Sequence, residues 1–237
     1  MIISMYRRCT VQRRYYEAYD DRYRQIHSQS LQWFHDEPSP IVKKTLLQYG
    51  ITKVQSILEI GCGEGRDAAP LLKEGYCLTA TDISTEAVRY CRERWPRYAD
   101  NFRILDCIRD TNDAAYDFIY AIAVLHMLVL DPDRKAFYRY YYDHLNDNGI
   151  GLICTMGDGS MERCSDIGSA FELQQRVHEQ SGKTVHIAST SCRMVPQETF
   201  RDELVHSGLH PLEMGITAVE PDFPQMMYAV VRKGGCR

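Results

Sequence analysis

The chain has 237 residues, 44% of them hydrophobic, with 28 lysines and arginines against 32 aspartates and glutamates, a net charge of −4. That length suits one α/β domain with an elaboration, or two small domains, and it buries a core without staples. The acidic balance gives no overall field that would draw nucleic acid, and no apolar run approaches the roughly 20 residues of a membrane span. The start, Met-Ile-Ile-Ser-Met-Tyr-Arg-Arg, lacks the apolar stretch of a signal peptide. Nine cysteines, at positions 9, 62, 77, 91, 107, 154, 164, 192 and 236, form no Cys-x-x-Cys pair. Neither a metal site nor a disulfide framework is expected, and reduced thiols in a cytoplasmic protein are.

Residues 11–34 are polar and aromatic and read as one or two helices, with Tyr15, Tyr19 and Tyr23 recurring every fourth residue along one face. Six arginines fall in the first 24 residues against three acids; interleaved acids make this a solvated helix face rather than an RNA-binding patch. Pro38 and Pro40 break the segment, and a helix over 41–49 ends at Gly50. A strand over 55–60 precedes a helix over 66–74 that stops at Gly75. A strand over 76–81 follows, then a helix over 85–95 with Ser84 as its cap and Pro96 beyond its end. Strands are expected over 102–105 and 116–122. Asp131-Pro132 marks a helix start, a cap followed by proline in the first turn, and that helix runs to Leu145. A turn over 146–149 leads into a strand over 150–156. Strands alternating with helices predict a parallel, doubly wound sheet. In the tail, a helix over 168–180, an extended segment over 184–189, a helix from Pro196 to Gly208 and strands over 211–219 and 225–231 are expected. The segment 157–195 is longer than a crossover needs and reads as an insertion over the active site.

The most specific feature is residues 57–67, Ile-Leu-Glu-Ile-Gly-Cys-Gly-Glu-Gly-Arg-Asp, with Asp82 closing the next apolar run 21 residues after Gly61. A β-branched run, a glycine-rich turn and a helix bring backbone close to a ligand. Gly61, Gly63 and Gly65 tolerate the positive φ of such a turn, and the Asp82 carboxylate can accept both hydroxyls of a ribose. A dinucleotide site wants G-x-G-x-x-G, but the third glycine position here is Arg66. Glu59, two residues ahead of the turn, would repel a pyrophosphate and suits a cofactor carrying an ammonium and a sulfonium.

At these residues the chain resembles the class I S-adenosylmethionine-dependent methyltransferases, whose first motif has this E-x-G-x-G-x-G form; the resemblance covers about residues 54–156 closely. It implies an α/β, Rossmann-like doubly wound sheet of about seven strands, the last antiparallel within a closing hairpin. A helical cap over 1–50 and a methyltransferase domain over 51–237, with 157–195 as a lid, are the expected divisions. The cofactor implied is S-adenosylmethionine. Glu59 would face its ammonium, Gly61, Cys62 and Gly63 would supply the turn, and Asp82 and Ile83 the ribose end. Asp106 would accept from the adenine amino group and the Cys107 N–H would meet the ring. Ala121 would give backbone to the methionine moiety, with Tyr23 above it.

Arg66 departs from the helix-dipole preference at a helix start; its partner is either the cofactor carboxylate or Asp67 or Glu64. His126 falls on the rim facing the substrate, as a general base or as a hydrogen-bonded core residue. Tyr15, Tyr19 and Tyr23, with Trp33, would form an aromatic lid over the sulfonium. Tyr15, Tyr19 and Trp33 would lie toward the substrate, or Trp33 would anchor the cap. Arg193, also toward the substrate, would clamp an anionic group or lie on the surface. No Asn/Asp-Pro-Pro-Tyr follows the fourth strand, which counts against N-methylation of nucleic-acid bases. Residues 31–40, an aromatic-proline segment, loosely resemble the thiopurine and tellurite-resistance methyltransferase groups, which act on small molecules. The expected function is methyl transfer to the N, O or S of a small metabolite. The rivals are an RNA or protein methyltransferase using the arginine-rich N-terminus, and a cofactor-binding module without turnover. Oligomeric state is not legible.

Overall fold

β-branched and aromatic runs form the centre of the structure, a computed structural model that describes residues 13–111 and 113–234. A 3-10 turn, Tyr15–Glu17, leads into α1 (Ala18–His27), and α2 (Pro40–Gln48) follows. The alternating core comprises β1 (Ser56–Ile60), α3 (Ala68–Glu74), β2 (Cys77–Asp82), α4 (Thr85–Arg94), β3 (Phe102–Ile104), β4 (Tyr116–Ile122), α5 (Asp131–His144) and β5 (Leu145–Met156). The tail adds β6 (Arg163–Cys164), β7 (Leu173–Val177), β8 (Thr184–Ala188), β9 (Arg193–Met194), α6 (Gln197–His206), β10 (Leu209–Val219) and β11 (Phe223–Lys233).

Seven strands form one sheet in the order β10-β11-β5-β4-β1-β2-β3. β1 to β5 are parallel, while β11 runs antiparallel to both β5 and β10. The sheet is buried on both faces, as a parallel sheet must be. Neighbouring residues of β1, β4 and β5 point to opposite sides: Leu58, Ile119 and Ile153 meet Phe137 and Tyr141 of α5, whereas Ile57, Phe118 and Leu152 meet Leu46, Leu71 and Val88. The order reverses between β1 and β4, which opens a crevice at the carboxyl ends of those strands. Gly75, at φ +89, closes α3, and the Ser84 hydroxyl accepts the Ala87 N–H at 3.0 Å to cap α4.

Two local expectations are corrected. Asp131 does not cap α5: Leu130 holds that position without a side-chain bond, and Asp131 lies inside the first turn, drawn off by Arg193 at 2.6 Å. No helix spans 168–180. A 3-10 turn at Ile167–Ser169 gives way to β7, which pairs antiparallel with β8. The hairpin is anchored by Val185 and Ile187, which pack on Ile26 of α1, while Leu173 and Val177 stay exposed. The lid segment therefore docks on the N-terminal helix.

Of the six early arginines, Arg7 and Arg8 lie outside the described residues. Arg13 pairs with Asp21, Arg14 with Asp133 and Arg24 with Asp20, and Arg22 is buried, so these four form no exposed, unpaired basic patch. No helix among the described residues is long and apolar enough to cross a membrane.

Candidate active site

β1 delivers the chain to a turn that is pulled sideways onto β2, because the Gly61 and Cys62 N–H groups both donate to the Thr81 carbonyl (2.7 and 2.8 Å). Gly61 has φ +75, and a Cβ there would collide with Val124. Gly63 has φ +50, and a Cβ would lie 2.6 Å from the Tyr23 hydroxyl. Only glycine fits both. The turn then meets Asp82, whose carboxylate accepts from Gly63 N and Ser84 N, each at 2.8 Å. Burial pushes the Asp82 pKa up to about 6, with those N–H donors opposing it.

Glu59 is buried, and its Oε2 has no hydrogen-bond partner. Burial first, then the Asp67 carboxylate, pushes its pKa well up. A buried carboxyl oxygen without a donor is costly to keep; the buried Tyr120 hydroxyl, likewise unpartnered, feels the charge of this carboxyl, and Glu59 lines a cavity. Glu59, Gly61, Cys62, Gly63, Asp82 and Ile83 wall that cavity from the strand ends. Asp106 and Cys107 close it beyond β3, and Arg66 and Tyr23 complete the wall. Asp106 uses one oxygen for Ile108 N (2.9 Å) and the other for the Tyr16 hydroxyl (3.2 Å). Burial raises the Cys107 thiol pKa. Arg66 is held loosely, at 3.5 Å from Asp67 and from Asp222, between the Phe34 and Phe223 rings. A methionine-bearing nucleoside with ammonium, carboxylate and ribose hydroxyls fits this donor set.

Ala121 is the exception. It is fully buried against the α5 face of the sheet, and the wall is formed by Ile122, Ala123 and Val124. β4 continues through Ile122 before the backbone turns out, with Ala123 at φ +60.

The tyrosine stripe divides. Tyr23 and Tyr19 reach the cavity, but Tyr15 does not: its hydroxyl donates to Asp133 (2.8 Å) and accepts from Val129 N and Leu130 N (2.9 and 3.2 Å). Tyr16 lines the wall instead.

A second cavity adjoins the first and shares Tyr19, Phe34, Met127 and Phe223 with it. Trp33 and His126 line this one. His126 is buried, with Nδ1 unpartnered, and burial, aided by Arg22 and Arg134, pushes its pKa down to about 3. It is neutral throughout the physiological range. Arg193 lines neither cavity; its guanidinium donates to Asp131 (2.6 Å) and the Val129 carbonyl (2.8 Å), so the expected anion clamp is not there.

Glu64, weighed in the sequence only as a partner for Arg66, has a larger part. Its carboxylate accepts from Trp33 N (2.7 Å), Phe34 N (2.8 Å) and His27 Nε2 (2.9 Å). Nothing in the local sequence signals these partners, which lie some 30 residues away.

Residues 58–150 match the family model described as a methyltransferase domain. The ubiquinone biosynthesis O-methyltransferase of Rickettsia typhi is 32% identical over 123 residues, 49% of this chain and 47% of that protein. The match thus spans about half of the relative's length. Among solved structures, the CcbJ methyltransferase of Streptomyces caelestis superposes with a TM-score of 0.67 at 14% identity, covering 93% of this chain and 99% of that one. The 1,6-didemethyltoxoflavin-N1-methyltransferase of Burkholderia thailandensis superposes with a TM-score of 0.66 at 15% identity, covering 90% and 85%. At such identities these structures share the fold.

Proposed function

We propose that the chain is a class I S-adenosylmethionine-dependent methyltransferase, on the match of residues 58–150 to a methyltransferase domain and the likeness to the Rickettsia typhi relative, and that it transfers a methyl group from S-adenosylmethionine to the N, O or S of a small-molecule acceptor. The observation that carries this reading is the buried Glu59 carboxyl, one oxygen of which is unpartnered, on the wall of the cavity formed with the glycine turn and Asp82. When bound, the cofactor supplies a methyl already activated on a sulfonium, so the protein's work is positioning and exclusion of water. Glu59 would hold the ammonium and Asp82 the ribose hydroxyls, keeping its two N–H donors. Asp106 and Cys107 would hold the adenine, and loosely engaged Arg66 the cofactor carboxylate.

The acceptor would enter from the second cavity, through the neck of Tyr19, Phe34, Met127 and Phe223. The N-terminal cap over 1–50 and the lid over 157–195 would cover it there. The free Nδ1 of neutral His126 would accept a hydrogen bond from the acceptor's proton. The names of two similar proteins, a ubiquinone biosynthesis O-methyltransferase and a 1,6-didemethyltoxoflavin-N1-methyltransferase, support a small-molecule acceptor. The engagement of Arg13, Arg14 and Arg24 with acids does not favour RNA. Incubation with methyl-labelled cofactor and a cell metabolite extract, followed by identification of the labelled product, tests the reading. Binding of the cofactor without label transfer to any metabolite would leave a binding module.

A further inference from the structure

The second cavity carries a buried positive charge with no anion beside it. Arg22, on α1, is 7% exposed and lines that cavity. Its guanidinium is bound only by neutral groups. Nε and Nη2 donate to the Ala188 carbonyl (3.3 and 3.0 Å), and Nη2 also donates to the Ser189 carbonyl (2.8 Å) and the Thr190 hydroxyl (2.5 Å). None of these bonds uses Nη1. The Tyr19 and Trp33 rings flank the guanidinium at 5.2 and 5.0 Å. Arg163 and Arg176 line the same space, and neither forms an ion pair among the described residues. Of the two carboxylates on its wall, Asp222 is already engaged by His35 (2.9 Å) and Arg66 (3.5 Å), and Glu179 sits exposed. A buried guanidinium without a counter-charge is costly unless an anion arrives to pair with it, and guanidinium binds carboxylate or phosphate oxygens with charge-assisted bonds.

We propose that Arg22, supported by Arg176, binds an anionic group, carboxylate or phosphate, on a planar methyl acceptor lying among the Trp33, Phe34 and Phe223 rings. This rests on the methyltransferase reading, because it makes the second cavity the acceptor's site. The anion sits at the cap-and-lid end, and the rest of the molecule points through the neck toward the cofactor cavity. His126, kept neutral by burial with Arg22 and Arg134 adding to it, leaves the anion to the guanidinium.

Calorimetry with S-adenosylhomocysteine comes first, and failure to bind it overturns the underlying reading rather than this proposal. The loaded protein is then titrated with 4-hydroxybenzoate, phenyl phosphate and the uncharged methyl 4-hydroxybenzoate. One of the two anions should bind about tenfold or more tightly than the ester, and which one does so separates carboxylate from phosphate. In Arg22→Met and Arg176→Gln that preference should fall to about threefold or less, with S-adenosylhomocysteine affinity retained. Arg176 is exposed, so its variant keeps the test informative if Arg22→Met fails to fold. Equal binding of ester and anions, no saturable binding of any of the three, or an undiminished preference in Arg176→Gln would each overturn the proposal.

Discussion

Asp82 serves two ends with one carboxylate. Two of its lone pairs hold Gly63 N and Ser84 N and so fix the turn; the others remain for ribose hydroxyls. With its pKa near 6, the folded protein binds more protons than the unfolded chain between 3.8 and 6, and stability falls as pH rises through that window. Hydroxyl donors favour the ionised form, so cofactor binding lowers this pKa and affinity weakens as pH drops below 6. A one-unit fall on binding corresponds to about tenfold weaker affinity at pH below both values. Asp82→Asn should remove that dependence and cost about 1.5–3 kcal/mol of S-adenosylhomocysteine binding. Calorimetry at pH 5 and 7 decides it; a flat wild-type profile detaches Asp82 from the ribose. His126 calls for a different test. Since its pKa is about 3, it contributes no titration between pH 5 and 8, contrary to what a rim histidine suggests. His126→Leu should lower kcat about tenfold by removing a hydrogen-bond acceptor that positions the substrate, while the pH–rate profile keeps its wild-type shape over that range. An inflection near pH 6.5 in wild type that the variant loses would show His126 charging after all.

At the scale of elements, α1 is tied to the cofactor turn by one imidazole. His27 bridges Glu64 (2.9 Å) and Glu86 of α4 (2.8 Å), with its side chain 5% exposed, and stacks on Tyr90. Burial lowers its pKa, but the hydrogen bonds and charges of the two carboxylates more than offset this and the net shift is upward. Its stabilisation is therefore fully present below the ordinary histidine pKa and is lost as pH rises through the folded value. His27→Ala leaves the buried Glu64 without its cation and should cost about 3 kcal/mol, read by urea denaturation. Because Glu64 also holds the Trp33 and Phe34 amides, cofactor affinity should fall with it; unchanged affinity would separate the clamp from the site. The elements around this clamp were legible to different degrees. β4 stands where its aromatic run placed it, and the glycine turn and Asp82 meet as their spacing implied, because both are local patterns on one βαβ unit. The segment 173–177 was misread because Leu-Gln-Gln-Arg-Val is neutral between helix and strand, and pairing with β8 decides it. Tyr15 left the stripe because a 3-10 turn winds three residues per turn, so the every-fourth register does not extend back through Tyr15–Glu17. Between the two readings of Arg193 the sequence could not choose, because its partner, Asp131, lies 62 residues earlier, and no sequence pattern announces such a pair.

Across the whole molecule, the groups assigned to the cofactor project from the carboxyl ends of β1, β2 and β3, with the end of β4 as the facing wall, beside the point where the strand order reverses. The roof over them comes from elsewhere: Tyr16, Tyr19, Tyr23 and Phe34 from the N-terminal segment and Phe223 from the start of β11. That roof is continuous with the core, since Tyr15, Tyr16 and Ala18 pack in the same cluster as Leu58 and Ile119, and Ile26 carries the β7–β8 hairpin. Ligand binding should accordingly be felt in both parts. At about 100 times its dissociation constant, S-adenosylhomocysteine should stabilise the fold by about 2.7 kcal/mol. Hydrogen exchange should slow at the ends of β1, β2 and β4, and also in α1 and in β8, whose Ala188 carbonyl holds Arg22. The ligand touches no residue of β8 in this arrangement, so protection there must pass through α1, whose Arg22, Gln25 and Ile26 hold that strand. Protection confined to the strand ends, with α1 and β8 exchanging as before, would mean that the cap does not close on the cofactor, and the roof would then belong to the acceptor cavity alone.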